Sequence, residues 1–163
     1  MLLPRHLRLI LDRVPLQVTQ KVIERVFSQA MTQHPRLFDR LGEHASKRFC
    51  FRPSDLGLSF VIQPTSRAIT TYKSKAPKFD ATVSGPLLTL LALLEGRVDG
   101  DALFFSRALE LTGDMEAMLA LRNALDDSGF DLPADLSPIA GPLAPVVRKL
   151  AERVRERALA EFA

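Results

Sequence analysis

Tryptophan is absent from this chain of 163 residues, tyrosine occurs once, at Tyr72, and cysteine once, at Cys50. A lone cysteine forms no internal disulfide, so no disulfide framework holds the fold, and a reducing compartment fits. Cys50 stands between Phe49 and Phe51 in a strand-like run, where a small buried apolar thiol is the ordinary reading. No uncharged apolar run approaches the ~20 residues a membrane-spanning helix needs, and Pro86 to Leu94 falls far short of it. The N-terminus has no continuous apolar segment with a small-residue cleavage site, because Arg5, Arg8, Asp12 and Arg13 interrupt it. The expectation is therefore a cytoplasmic protein without a secretory leader. Enzyme signatures are missing as well. There is no G-x-S-x-G elbow, no G-x-x-x-x-G-K-[ST] loop and no G-x-G-x-x-G turn. His6, His34 and His44 lack the spacing of a zinc site, and no metal or cofactor is expected.

What the chain does have is apolar surface. Hydrophobic residues make up 47% and charged residues 25%, a globular composition that excludes general disorder. The length allows one domain with a proper core. Ten phenylalanines carry nearly all the aromatic surface. The net charge of +3 hides an uneven distribution, with basic residues at both ends: Arg5, Arg8, Arg13, Lys21 and Arg25, then Arg148, Lys149, Arg153, Arg155 and Arg157. Such ends fit an anionic membrane surface or simply a solvated helix face. Nucleic acid is not expected as a partner, because the Phe residues fall in apolar strands and the Arg residues in terminal helices, without the interleaving such binding uses. Arg67, Lys73, Lys75 and Lys78 read as edge-blunting charges around hairpins.

The periodicity changes along the chain. Leu3, Leu7, Ile10, Leu11 and Val14 recur at helical spacing up to Pro15, and Val18, Val22, Ile23, Val26, Phe27, Ala30 and Met31 trace a longer stripe that stops before Pro35. A third short helix is predicted over Arg36 to Leu41, closed by Gly42. From Arg48 the pattern turns to short runs, RFCFRP, LGLSFVIQP, AITTYKS and KFDATVSG, broken by Pro53-Ser54-Asp55, Pro64-Thr65-Ser66 and Ala76-Pro77. These predict an antiparallel meander of about four strands. In the last, Asp80, Thr82 and Ser84 would form a wet face and Phe79, Ala81 and Val83 a buried one. Pro86 opens the apolar helix LLTLLALLEG, Ala108 to Thr112 reads as a further strand, and Gly113-Asp114 caps a helix whose Met115, Met118, Leu119, Arg122 and Leu125 share one side. Val147, Leu150, Ala151, Val154, Ala158 and Phe162 form a final amphipathic stripe. The fold class is α+β, with a mostly antiparallel sheet of about five strands covered by helices. The expected division is residues 1–15 as an N-terminal amphipathic helix, 16–131 as the domain, 132–145 as a Pro-rich linker and 146–163 as a C-terminal amphipathic helix.

Candidate chemistry is thin. Asp99-Gly100-Asp101 starts like a calcium loop, but the next ligand position falls on Leu103, and a turn is the better reading. Ser106 beside Arg107 has no nearby base to make it a nucleophile.

The strand KFDATVSG, the helix ending LLALLEG, the segment DGDALFF, the strand LELTGD and the helix MEAMLALRNALD together resemble the sterol carrier protein type-two family, over roughly Val18 to Asp127. Within it, the D-A-L-F-F-S-R-x-L-x-L-x-G-D run from Asp101 to Asp114 is most similar to a bacterial accessory factor of ubiquinone biosynthesis, one associated with the oxygen-independent route. The resemblance implies a tunnel between helices and sheet that holds a lipid. It also implies prenylated quinone precursors or phospholipid as ligand, other ubiquinone biosynthesis proteins as partners, and no catalysis. An enclosed prenyl chain needs a wall of Leu, Phe and Met, and Met115 and Met118 beside Phe104 and Phe105 suit an adaptable one. Periodicity alone would read the same residues as solid core. The lining expected on the resemblance is Phe27, Met31, Leu87, Leu91, Leu94, Phe104, Phe105, Met118 and Leu119. Membrane or partner contact is expected through Leu7, Ile10, Leu11 and Val14 with Arg5, Arg8 and Arg13, peripherally at the inner face of the cytoplasmic membrane. The rival readings are a scaffold of a biosynthetic complex with a solid core, and a small lipid-modifying enzyme using Asp99, Asp101 or Asp114.

Overall fold

The computed structural model describes residues 13–73, 79–94, 107–131, 134, 135, 152 and 156. Helix α1 (Leu16–Gln33) starts after Pro15 and ends at His34, whose N–H donates to Ala30 O. Pro35 then disfavours a helical conformation for the residue before it. A 3-10 segment, Asp39–Ser46, follows. The expected closure at Gly42 is only half right: Gly42, at φ 52° and ψ −124°, kinks the segment, but the turns resume beyond it.

Five strands come next, β1 (Phe49–Pro53), β2 (Leu58–Gln63), β3 (Ala68–Lys73), β4 (Ala81–Gly85) and β5 (Glu110–Gly113). Their order in the sheet is β3-β2-β1-β4-β5. β1 pairs antiparallel with β2, β2 with β3, and β4 with β5. β4, however, lies parallel to β1, in register from Phe49↔Ala81 to Pro53↔Gly85. The sheet is thus mixed, and the expected antiparallel meander is corrected. The short connection between β3 and β4 was the misleading feature, since parallel pairs ordinarily need a longer crossover. Eight Cα steps separate Lys73 from Ala81 and can reach about 26 Å, enough to pass β2 and β1 over three interstrand spacings of about 4.8 Å each.

The register explains the faces. Phe49 and Phe51 share one face with Ala81, Val83, Phe60, Ile62 and Leu111, and this face meets the helices in the main core. Cys50, Val61, Ser59 and Thr82, which alternate with them, are buried as well. Thr82 is only 7% exposed, so the wet face expected for β4 is corrected at its centre.

Helix α2 (Leu87–Leu94) is apolar all round, with Leu88, Thr89, Leu90, Ala92 and Leu93 buried. Its first turn is capped from a distance by buried Asp55, whose Oδ1 accepts the Leu87 N–H at 2.9 Å. Helix α3 (Met115–Ser128) begins at the N-cap Asp114 and stops at left-handed Gly129. Ala117, Met118, Leu121 and Ala124 face the core. An Arg40–Asp127 ion pair ties α3 to the 3-10 segment.

Helix α1 lies along the outer edge of β3. Its Gln20 carboxamide accepts from Thr71 N–H at 2.5 Å and donates to Ile69 O at 2.9 Å. This rotates the helix away from the stripe expected from sequence: Val18 and Val22 are exposed, and only Ala30 is fully buried. Asp135, placed in the linker by sequence, is buried, with its oxygens 3.0 and 3.1 Å from His34 Nε2. Residues 1–12, the Asp99-Gly100-Asp101 turn, Ser106, most of the linker and all of the C-terminal helix except exposed, helical Glu152 and Glu156 lie outside the described residues. Among the described residues no helix is long and apolar enough to cross a membrane.

Candidate functional site

The α3 stripe read from sequence faces a cavity. Met115, Met118, Leu119, Arg122 and Leu125, spaced three and four residues apart, form one wall with Leu121 and Glu116. Opposite stand Leu93 and Leu94 from the end of α2, Phe51 from β1 and Leu111 from β5. Phe51 and Leu111 reach it because their register positions point to the helical side of the sheet. The volume is about 240 Å³, near the lower end of ordinary ligand pockets, roughly 300–1,000 Å³. Nine of the eleven described lining residues are apolar, and among them only Glu116 and Arg122 are charged. The rim is apolar too: Met115 is 66% and Leu119 53% exposed although both line the interior.

Of the lining residues expected from sequence, Leu94, Met118 and Leu119 are in this wall. Leu87 and Leu91 are not among its lining residues, and Leu91 packs against the core. Phe27 and Met31 line a different, open groove between α1 and the start of β3, with Pro35, Arg67 and Ile69. Phe104 and Phe105 lie outside the described residues. Sequence reasoning passed over Phe51, Leu93, Leu111 and Leu125 as lining. The usable signal was the α3 stripe itself, which already contained Leu125 and Arg122; nothing local marks Phe51 or Leu111. Of the membrane or partner contacts, Leu7, Ile10, Leu11, Arg5 and Arg8 are outside the described residues, Arg13 is exposed and Val14 half-buried.

Two titratable groups outside the cavity lining, Asp114 and Cys50, have structural duties. Asp114, one candidate acid, is the α3 cap: its Oδ1 accepts the Ala117 N–H at 2.9 Å and its Oδ2 lies 3.3 Å from Lys47 Nζ. The Ala117 hydrogen bond, then Lys47, hold its carboxyl below the usual carboxylate value. Cys50 is fully buried, and desolvation pushes its thiol up despite the nearby Arg52 and Thr82. Such a thiol is protonated and inert. Among the described residues no group of three or more His, Cys, Asp or Glu side chains could hold a metal ion. The arrangement can enclose an apolar chain segment and meet one charged group.

A profile of the SCP-2 sterol transfer family matches residues 27–126, more than half of the chain. No curated protein matches the sequence. Among solved structures, the "UbiJ-SCP2 Ubiquinone synthesis protein" is similar with a TM-score of 0.58 and 21% identity, covering 73% of this chain and 98% of that one. The apo sterol carrier protein 2 of Yarrowia lipolytica gives 0.47 and 16%, covering 74% and 98%. The sterol carrier protein domain 2 of Helicoverpa armigera gives 0.46 and 16%, covering 68% and 85%. The first of these likenesses supports the fold.

Proposed function

Because the chain belongs to the SCP-2 sterol transfer family, we propose that it is a non-enzymatic lipid carrier whose ligand chain occupies the cavity between α2, β5 and α3. The observation that carries this reading is the cavity's chemistry: nine apolar lining residues, an apolar rim and, among the described residues, no assembled acid, base or nucleophile around them. Burying an alkyl or prenyl segment there gains roughly 25 cal/mol per Å², and Met115 and Met118 let the wall adapt to its shape. Exposed Met115 and Leu119 give the chain an apolar path from outside to inside.

The cargo in this reading is a prenylated quinone precursor or a phospholipid, presented to modifying enzymes of ubiquinone biosynthesis. Two things support that context: the Asp101 to Asp114 run, similar to the accessory factor called UbiT of the oxygen-independent route, and the likeness to the UbiJ-SCP2 ubiquinone synthesis protein. A cavity of about 240 Å³ takes a segment of a long prenyl tail. The basic, leucine-rich residues 1–15 supply membrane or partner contact in the same proposal.

Native mass spectrometry of the purified protein, followed by solvent extraction and lipid analysis, tests the reading. A prenylated quinone precursor or phospholipid near one per chain is the expected result. A clean apo mass after gentle purification would remove the carrier and leave a scaffold.

A further inference from the structure

We infer that the exposed apolar stripe of α1 is the docking surface of this chain's own first twelve residues, folded back on it as the first arm of a helical hairpin. Val18 and Val22, one turn apart, are 50% and 55% exposed, and Val26, one turn further, is half-buried. Singly exposed valines are ordinary on a protein surface. These three stand at i, i+4 and i+8, which lines them up along one side of the helix. That side faces away from β3, because Gln20, which clasps the strand, lies two residues from both Val18 and Val22 and so falls roughly opposite them.

The residues before α1 supply the complement. Leu3, Leu7 and Leu11 repeat the same spacing of four. Arg13 is still helical, Val14 and Pro15 break the helix, and Pro15 is extended at φ −57° and ψ 140°. Two residues suffice to join antiparallel helices. Turned back at that break, Leu11 meets Val18, Leu7 meets Val22 and Leu3 meets Val26, because the members of each pair lie equally far from it. Each stripe spans about 12 Å along its axis, so all three pairs close together. Arg5 stands two residues from both Leu3 and Leu7, which puts it on the opposite side of the arm and in water. Closing the seam removes apolar surface of both arms from water, the main driving term for such a contact. The seam holds whether or not the cavity carries a lipid. It adds a condition to the carrier reading: leucines that cover α1 reach a membrane only when the hairpin opens.

The test is disulfide trapping in the full chain, with Cys50→Ala as background and Leu7→Cys paired with Val22→Cys. In dilute protein an intramolecular bond should form roughly tenfold faster than in two controls, because only this pair comes within disulfide reach. The controls are Leu3→Cys with Val18→Cys, two turns out of register, and Arg5→Cys with Val22→Cys, from the outer side of the arm. Equal rates in all three would overturn the hairpin. A bond between positions 7 and 22 found only between two chains would also overturn it and assign the stripe to a second copy. Trypsin gives a second readout with Cys50 in place. Val22→Asp should speed cleavage after Arg5 and Arg8 roughly tenfold, since cleavage tracks the population of the open form. Unchanged cleavage would overturn the hairpin. The cross-linked protein should lose binding to phosphatidylglycerol vesicles and regain it on reduction. Equal binding by both forms would overturn the gating of membrane contact, whereas the cavity's cargo is decided separately by lipid extraction.

Discussion

Gly113 and Asp114 show how two adjacent residues set the start of α3 beside the site. Gly113 has φ +89°, and a Cβ there would sit 2.3 Å from Asp80 O. Asp80 O must stay where it is, because it accepts the Asp114 N–H at 2.8 Å, while the Asp80 carboxylate accepts the Arg48 N–H at 2.8 Å. Gly113→Ala therefore combines a left-handed backbone with a backbone clash and is expected to lower stability by more than about 1 kcal/mol in urea unfolding. Asp114 adds a pH dependence of known sign. Its folded carboxyl value is depressed by the Ala117 N–H and by Lys47, so its contribution is complete above the unfolded value of about 3.9. That contribution is lost as pH falls through the lower folded value. Asp114→Ala should thus be less stable than wild type at neutral pH, with the gap closing in acid; a gap independent of pH would show that charge at the cap is irrelevant.

At the scale of elements, the Gln20 clasp is the feature periodicity misread. The apolar residues of α1 pointed to Val18 and Val22 as inward, yet both are exposed. A polar carboxamide takes the place of a neighbouring strand on the edge of β3. Gln20→Ala removes both hydrogen bonds, at about 1–3 kcal/mol together, and bares Ile69 O and Thr71 N–H to another chain. Sedimentation velocity should then detect self-association that Gln20→Glu, which keeps the acceptor for Thr71, shows less of. The strands themselves were legible, since Pro53 and Pro64 bound them and β-branched and aromatic residues fill them. Their order was not, because alternation along β4 carries no information on whether β1 or β3 lies beside it. The α3 stripe succeeded for the opposite reason: Gly113-Asp114 fixes where the helix starts, and Met115, Met118, Leu119, Arg122 and Leu125 then follow from 3.6 residues per turn. What periodicity could not say is that this side borders a void, with Met118 buried but Met115 and Leu119 exposed at its rim. Leu91 went into the core and Leu94 into the cavity wall, although both belong to one apolar run.

For the whole molecule, the proposed cargo in a void bordered by apolar walls would couple binding to stability. Any ligand that binds only the folded chain stabilises it by about 2.7 kcal/mol at one hundred times its Kd, and a domain of this size gains about 2–4 °C in Tm per kcal/mol. Delipidated protein is therefore expected to melt roughly 5–10 °C below the protein resaturated with its extracted lipid. Met118 separates this linkage from other effects of lipid, because it is 5% exposed and lies in the cavity wall. Met118→Trp places an indole in the cavity. Its overpacking costs about 1–3 kcal/mol, so the variant starts lower, but it should show no Tm rise on adding lipid. Leu119→Trp, at the half-exposed rim, avoids the overpacking and should narrow the entrance, slowing uptake with a smaller loss of the final shift. A full lipid-induced rise in a folded Met118→Trp protein would move the cargo elsewhere, and the open groove beside Phe27 and Met31 would become the place to block next.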